Sequence, residues 1–280
     1  MTVVEAAKRR RVRPHHTAMW VAIAFLALVA LVALLPGVFA THDPLQTDVR
    51  GALLPPSTEH LFGTDQSGRD VFSRVVYGAG PSVGIGLLAT SLALVGGLVL
   101  GSLAGVAPRV IDTIAMRIND IVLAFPEFLI ALIVVALLGP GHLNVAIAVT
   151  IAAVPVYIRL ARTSTRTLRI AEHVEAARIL GVGPTRAFLR HVAPGVLGTL
   201  SVLATIGIGS SILAAAGLSF LGLGPTEPTA EWGLMLSGGR NVLGTAWWVS
   251  VFPGLAISLT VIAATVVGRQ LRARADGVRS

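Results

Sequence analysis

Cysteine is absent from the 280 residues, lysine occurs once, at Lys8, and only 13% of the chain is charged. Each shortage removes a class of function. Without cysteine there are no disulfides, thiolate metal knuckles or thiol nucleophiles. With no lysine beyond Lys8 there is no Walker A phosphate loop, which needs a lysine after its glycines. Soluble domains carry roughly a quarter charged residues, so a water-soluble enzyme and a disordered tail are both excluded. What the chain has instead is apolar surface: 54% of residues are hydrophobic and the mean hydropathy is +0.79. Its net charge of +8 does not mark a nucleic-acid binder. The basic residues lie between long apolar runs, where a membrane protein carries its topology signal.

A membrane-spanning helix needs about 20 mostly apolar residues, because lipid cannot hydrogen-bond an open backbone. The uncharged stretches are Pro14–His42, Val75–Pro108, Phe128–Ile158, His191–Thr226 and Asn241–Gly268. They predict helices over Met19–Phe39, Ser82–Val106, Leu200–Leu223 and Ala246–Gly268. The long middle stretch is broken by Gly139-Pro140-Gly141 and reads as a hairpin, Ile118–Leu138 then Leu143–Leu160. The expected fold is all-α and polytopic, with six spans and both termini inside. With that layout, all of the 22 basic residues except Arg50, Arg69, Arg74 and Arg240 face inward, as the positive-inside rule requires. The organisation that follows is a basic inner tail (1–18), a first span (19–39), an outer loop (40–81), a five-helix core (82–268) and an inner tail (269–280). Val38-Phe39-Ala40 resembles a signal cleavage site, but the first apolar run exceeds the ~7–15 residues of a signal core, and it reads as an uncleaved anchor.

The inner loop 159–195 is the most informative hydrophilic segment. Arg159, Arg162, Arg166 and Arg169 recur at helical spacing on one face, an extension of the fourth span whose arginines reach anionic headgroups. Ala176, Ala177 and Leu180 then form a small apolar surface. Gly181 suits a helix end needing positive φ, and Gly183-Pro184 turns into a second helix that starts at the proline. The order Glu175-Ala176-Ala177, three residues, Gly181, nine residues, then His191-Val192-Ala193-Pro194 resembles the EAA loop of ATP-binding-cassette importer permeases.

Three further stretches narrow that resemblance: His60–Arg74 (HLFGTDQSGRDVFSR), Leu218–Gly224 with Glu231-Trp232-Gly233, and Phe252–Ile257. Together with the loop they resemble the dipeptide, oligopeptide and nickel branch, specifically the second permease of its pair, from about Ala40 to Gly268. Departures are the basic tail Arg269–Ser280 and the alanines of Leu213–Gly217, where relatives often carry a glutamate. The resemblance implies a bacterial cytoplasmic-membrane subunit that moves peptides inward by alternating access. It also implies a homologous second permease, two ATPase domains holding the ATP and magnesium, and an extracytoplasmic substrate-binding protein. Glu175, Ala176, Ala177, Leu180, Gly181, Gly183 and Pro184 are the residues it assigns to contact with the ATPase. Nickel chelates or another small solute are the alternative cargo.

Elsewhere the residues leave alternatives open. Glu127, beside Pro126, is a carboxylate well inside an expected span, and such charges face a cavity or a partner. It reads either as part of the translocation path, with Pro126 loosening the helix as a gate, or as a residue at the inner surface. Asp65, Arg69 and Asp70, at a turn opened by Gly63, and Glu231 with Trp232 are candidates for docking the binding protein. The competing reading of the first three is an interfacial turn leading into a short amphipathic helix, Asp70–Tyr77. Trp232, Trp247 and Trp248 suit an interfacial aromatic belt. No catalytic set and no metal site is expected: His42 and His60 lack zinc-ligand spacing, and no base accompanies Ser219. A secondary transporter would show mid-membrane ionisable groups in repeated halves; only Glu127 answers to that.

Overall fold

The computed structural model describes residues 16–275, and the basic cluster Lys8–Arg13 and Arg279 fall outside them. Among the described residues the chain is helical almost throughout, and its only bridge between extended segments joins Thr64 to Asp70. The first helix, α1 (His16–Leu34), is apolar on every side and leaves Leu28, Leu31 and Leu34 exposed, the pattern of a helix solvated by lipid. It was expected to run to Phe39. It stops at Leu34, because Pro36 has no N–H to donate and disfavours helical geometry at Leu35. A single turn, α2 (Pro36–Phe39), follows with the proline at its first position.

Helix α3 (Val71–Val106) corrects the expectation of a short helix followed by a separate span from Ser82. The two are one 36-residue helix running through Pro81, about 54 Å long, and so longer than the ~30 Å hydrocarbon core. Asp70 caps it by accepting from the Ser73 N–H. Its glycines explain its position in the bundle. Gly97, Gly101 and Gly105 share one face and press on Tyr157, Ala161 and Thr165 of α6 (His142–Leu168); a Cβ at Gly101 would lie 2.5 Å from the Ile158 carbonyl oxygen. Small residues of this spacing let helix backbones approach closely in lipid.

The third span differs most from expectation. Instead of one kinked helix over Ile118–Leu138, α4 (Arg109–Leu123) and α5 (Glu127–Leu138) meet at 90° across Ala124-Phe125-Pro126. Pro126 breaks the helix outright, so α5 keeps 12 residues, about 18 Å of rise. Helix α4 is amphipathic: Asp112 and Asn119 are buried while Val110, Ile111, Ile114, Ile118 and Ile121 are exposed. The pair supplies a sixth crossing only when taken as one span, beside five helices that are long and apolar enough alone.

The Gly139-Pro140-Gly141 turn leads into α6 (His142–Leu168), with Gly139 and Gly141 at positive φ. Two short helices follow, α7 (Glu172–Ile179) and α8 (Pro184–Ala187). A π-helical turn, Phe188–Val192, carries α8 into α9 (Ala193–Phe220). There Ala193 N–H reaches back to the Phe188 carbonyl. The wider turn accommodates Pro194, which lacks an N–H and would crowd the preceding carbonyls of an α-turn. Helices α10 (Trp232–Gly239), for which the sequence offered no expectation, and α11 (Trp248–Ala275) complete the described residues. The core follows the same logic of close approach. One cluster joins Ala89, Ala131, Val135, Val149 and Ala215 at mid-bundle, another gathers Trp232, Met235 and Trp248 at the α10 end, and a third gathers Tyr157, Val174 and Leu200 at the α7 end.

Candidate functional site

At one end of the bundle, α7 is a short rigid body. Val174 is buried in one cluster with Val192 and Val196, against which Leu168 packs, and Ala177 is buried too. Its C-terminus closes as sequence chemistry requires. Val182 N–H donates to Ala177 O at 3.0 Å and Gly181 N–H to Arg178 O at 2.9 Å, the paired bonds of a Schellman motif, with Gly181 at φ 83°. Glu175, Ala176, Gly181, Gly183 and Pro184 are exposed. The apolar face differs from the expected one in a single position: Ala177 is turned inward as an anchor, and Ile179 stands outside with Leu180. These two are 80% and 83% exposed.

The arginines of the α6 face pair with neighbouring helices. Arg162 grips Asp112 of α4 with two bonds, Nη2 to Oδ2 at 2.6 Å and Nε to Oδ1 at 2.5 Å, and Arg166 adds a third. Arg159 pairs with Asp120 at 2.5 Å, and the Asn119 amide donates to the Pro155 carbonyl at 3.2 Å. Arg169 donates to Gly105 O at 3.0 Å, at the C-terminal turn of α3, where cations are favoured. These bonds fasten α4 and α3 to the root of the α7 segment. Their signal in the sequence was Asp112 and Asn119, two turns apart on one polar face of α4.

At the opposite end, the five residues expected to dock a partner are buried: Asp65, Arg69, Asp70, Glu231 and Trp232. They build a scaffold. Asp65 accepts from the N–H groups of Ser67 and Arg69 and from Arg69 Nε at 2.7 Å, and Arg69 Nη1 donates to Glu227 Oε2 at 2.6 Å. Burial works against the charge of Arg69, but its bond to Glu227 and the attraction of Asp65 outweigh that and hold its pKa above the ordinary value. Arg74, almost wholly buried, donates to the carbonyls of Pro44, Pro228 and Thr229. Glu231 caps α10 through Gly233 and Leu234 and accepts from Ser82 Oγ. Trp232 donates to the Val75 carbonyl of α3, and Trp248 pins the preceding loop by donating to the Thr64 carbonyl. Of the expected aromatic belt only Trp247 remains half exposed. The surface this scaffold presents carries Leu45, Val49, Leu54 and Leu61.

Glu127 opens α5 at the 90° break and is exposed, with Pro126 as the cap position before it. Close by in the core, the Tyr157 hydroxyl is buried with no hydrogen-bond partner among the described residues. The fold also gathers three residues whose spacing suggested nothing: His42, His60 and Asp70 offer ligand atoms within 4.8 Å of one another.

An apolar helical bundle with a broken span, a tethered exposed helix at one end and a polar scaffold at the other defines a multi-pass membrane protein. Residues 97–276 match the family described as binding-protein-dependent transport system inner membrane component, and the chain belongs to that family. It is 42% identical over 246 residues to the dipeptide transport system permease protein of Alkalihalophilus pseudofirmus, covering 88% of this chain and 81% of the relative. It is 41% identical over 258 residues to the di/tripeptide transport system permease protein of Pseudomonas aeruginosa, covering 90% and 85%. A nickel transport system permease protein of Escherichia coli is 39% identical over 255 residues, covering 91% and 92%.

Proposed function

We propose that this chain is the transmembrane permease subunit of an ATP-binding-cassette importer that moves peptides inward, working beside a second, homologous permease. Two ATPase domains bind ATP and magnesium and do the hydrolysis, and an extracytoplasmic binding protein delivers the cargo. The permease itself performs no catalysis and holds no cofactor. The observation that carries this reading is α7: a helix anchored by Val174 and Ala177, stopped by Gly181, and presenting Ile179 and Leu180 to the outside. Its N-terminus follows closely on α6, and its C-terminus leads through α8 and the π-turn into α9. A push on α7 is therefore delivered to the bundle as rigid-body movement.

In this reading the α7 end lies in the cytoplasm, both termini are inside, and the EAA-like loop seats on an ATPase. When the two ATPases close on ATP, the α7 helices of the paired permeases approach and the cavity opens to the outside. Hydrolysis resets it. Glu127 and Pro126 stand at the one broken span and form the gate or lining of the path. The binding protein rests on the loop surface that Asp65, Arg69, Asp70, Glu231 and Trp232 hold in shape. Peptide cargo is favoured by the dipeptide and tripeptide relatives; the nickel relative supports nickel chelates as the second reading. Reconstitution with the partner subunits tests the proposal. Gly181→Asp and Glu175→Arg should insert normally and retain ATP hydrolysis while losing coupled uptake. Normal uptake by both variants would refute it, and uptake by this chain alone under an ion gradient would point to a secondary transporter.

A further inference from the structure

We propose that His42, His60 and Asp70 form a binding site for one divalent transition-metal ion of the zinc class. The three come from separate segments: the chain leaving α2, the loop that follows, and the cap of α3. Their ligand atoms all lie within 4.8 Å. His60 Nδ1 is 2.9 Å and His42 Nδ1 3.8 Å from the same Asp70 oxygen, Oδ1. Ligands about 2.0–2.2 Å from a central ion sit about 3–4 Å from each other, so an ion fits with small ring movements. Two imidazoles and one carboxylate are the donor set that zinc, cobalt and nickel accept and that magnesium and calcium do not favour.

The supporting groups are already placed. Asp70 Oδ2 is held by the Ser73 N–H at 2.7 Å, and Oδ1 faces both imidazoles, its hydrogen bond with His60 Nδ1 giving way when the ion enters. The His42 N–H donates to Ser73 Oγ at 3.0 Å and so fixes the backbone beneath that ligand. Such outer contacts orient metal ligands and tune their affinity. The two rings lie 4.8 Å apart, centroid to centroid, at 35°. Asp70 is buried while His42 is one-third exposed and lines a cavity of about 640 Å³, which leaves a route for the ion and room for water at the remaining positions. The ion would tie the segment after α2 to the first turn of α3. The site is the same whichever cargo the transporter carries.

The test uses the full chain purified in detergent with a tag that contains no histidine. Co2+ is added alone and followed by its visible d–d absorption, then displaced by Zn2+. One saturable Co2+ per chain is expected, displaced stoichiometrically by Zn2+, with affinity falling at least tenfold in both His42→Asn and His60→Asn. His173 and His191, 6.4 Å apart at the other end of the bundle, are the competing pair, and replacing both should leave the titration unchanged. Metal-free thermal unfolding establishes that each variant is folded; His42→Asn, at the more exposed position, serves if His60→Asn is not. No saturable binding, binding undiminished by His42→Asn, or loss on replacing His173 and His191 would overturn the assignment.

Discussion

Replacing Gly101 with alanine adds one methyl group at the tightest kind of contact in the bundle. The new Cβ would lie 2.5 Å from the Ile158 carbonyl oxygen, 2.6 Å from Ala161 Cβ and 3.1 Å from the Arg162 nitrogen. Carbon atoms rest about 3.5–4.0 Å apart, so α3 and α6 must separate by about 1 Å at this level. Two of the three obstacles are backbone atoms, which cannot swing aside as a side-chain tip can. Overpacking of this kind costs about 1–3 kcal/mol. Alanine gains part of that back, since glycine in a helix interior is worse by roughly 0.8–1 kcal/mol, and the net expectation is a loss of up to about 2 kcal/mol. Gly84 lies in the same helix, and a Cβ there meets nothing within 4 Å. Gly84→Ala should therefore stabilise by about 0.4–1 kcal/mol. Denaturant unfolding in mixed micelles, followed by tryptophan fluorescence, compares both with the parent. Opposite signs are predicted. A Gly101→Ala protein as stable as Gly84→Ala would refute the claim that this glycine face sets the helix spacing.

Further outcomes concern the two ends of the bundle. Leu180→Ala should leave the unfolding midpoint within experimental scatter, because the side chain is 83% exposed. It should nonetheless weaken ATPase binding by roughly 30-fold, since burying the three lost carbons at an interface is worth about 2 kcal/mol; unchanged affinity in a binding titration would argue against that contact. Asp112→Asn removes the carboxylate shared by Arg162 and Arg166. As both arginines are partly exposed, the cost should be about 1–2 kcal/mol rather than the larger penalty of a fully buried pair, read as a lowered thermal midpoint. Arg74→Met leaves the Pro44, Pro228 and Thr229 carbonyls without their donor and should cost about 3 kcal/mol. Limited proteolysis should then show the loop around Pro44 opening first.

Much of this architecture is legible in the sequence, because apolar length and glycine–proline punctuation act locally. The Gly139-Pro140-Gly141 turn, the end of α7 at Gly181 and the start of α8 at Pro184 stand where local chemistry puts them. Misreadings arise where a local rule has two outcomes. Proline in an apolar run either bends a helix or ends it: Pro81 is carried inside α3, whereas Pro126 separates α4 from α5. The difference lies in the neighbour. The polar face of α4, with Asp112 and Asn119, finds partners on α6 and is drawn out of line with α5. Long-range pairing is the other blind spot. Arg69 and Glu231 look like surface charges until Glu227 and Ser82 are brought beside them. His42 and His60 look unrelated until both reach Asp70. At α7 the sequence pattern located the helix, but only its packing shows that Ala177 faces in and Ile179 out.

The most direct test places a photo-activatable benzophenone side chain at Leu180 in the membrane-embedded transporter and identifies what it labels. Covalent attachment to the ATPase is expected, at a yield that changes between ATP-bound and nucleotide-free states, with a probe at Val110 on α4 labelling lipid instead. Labelling from Leu180 confined to lipid, whatever the nucleotide state, would contradict it.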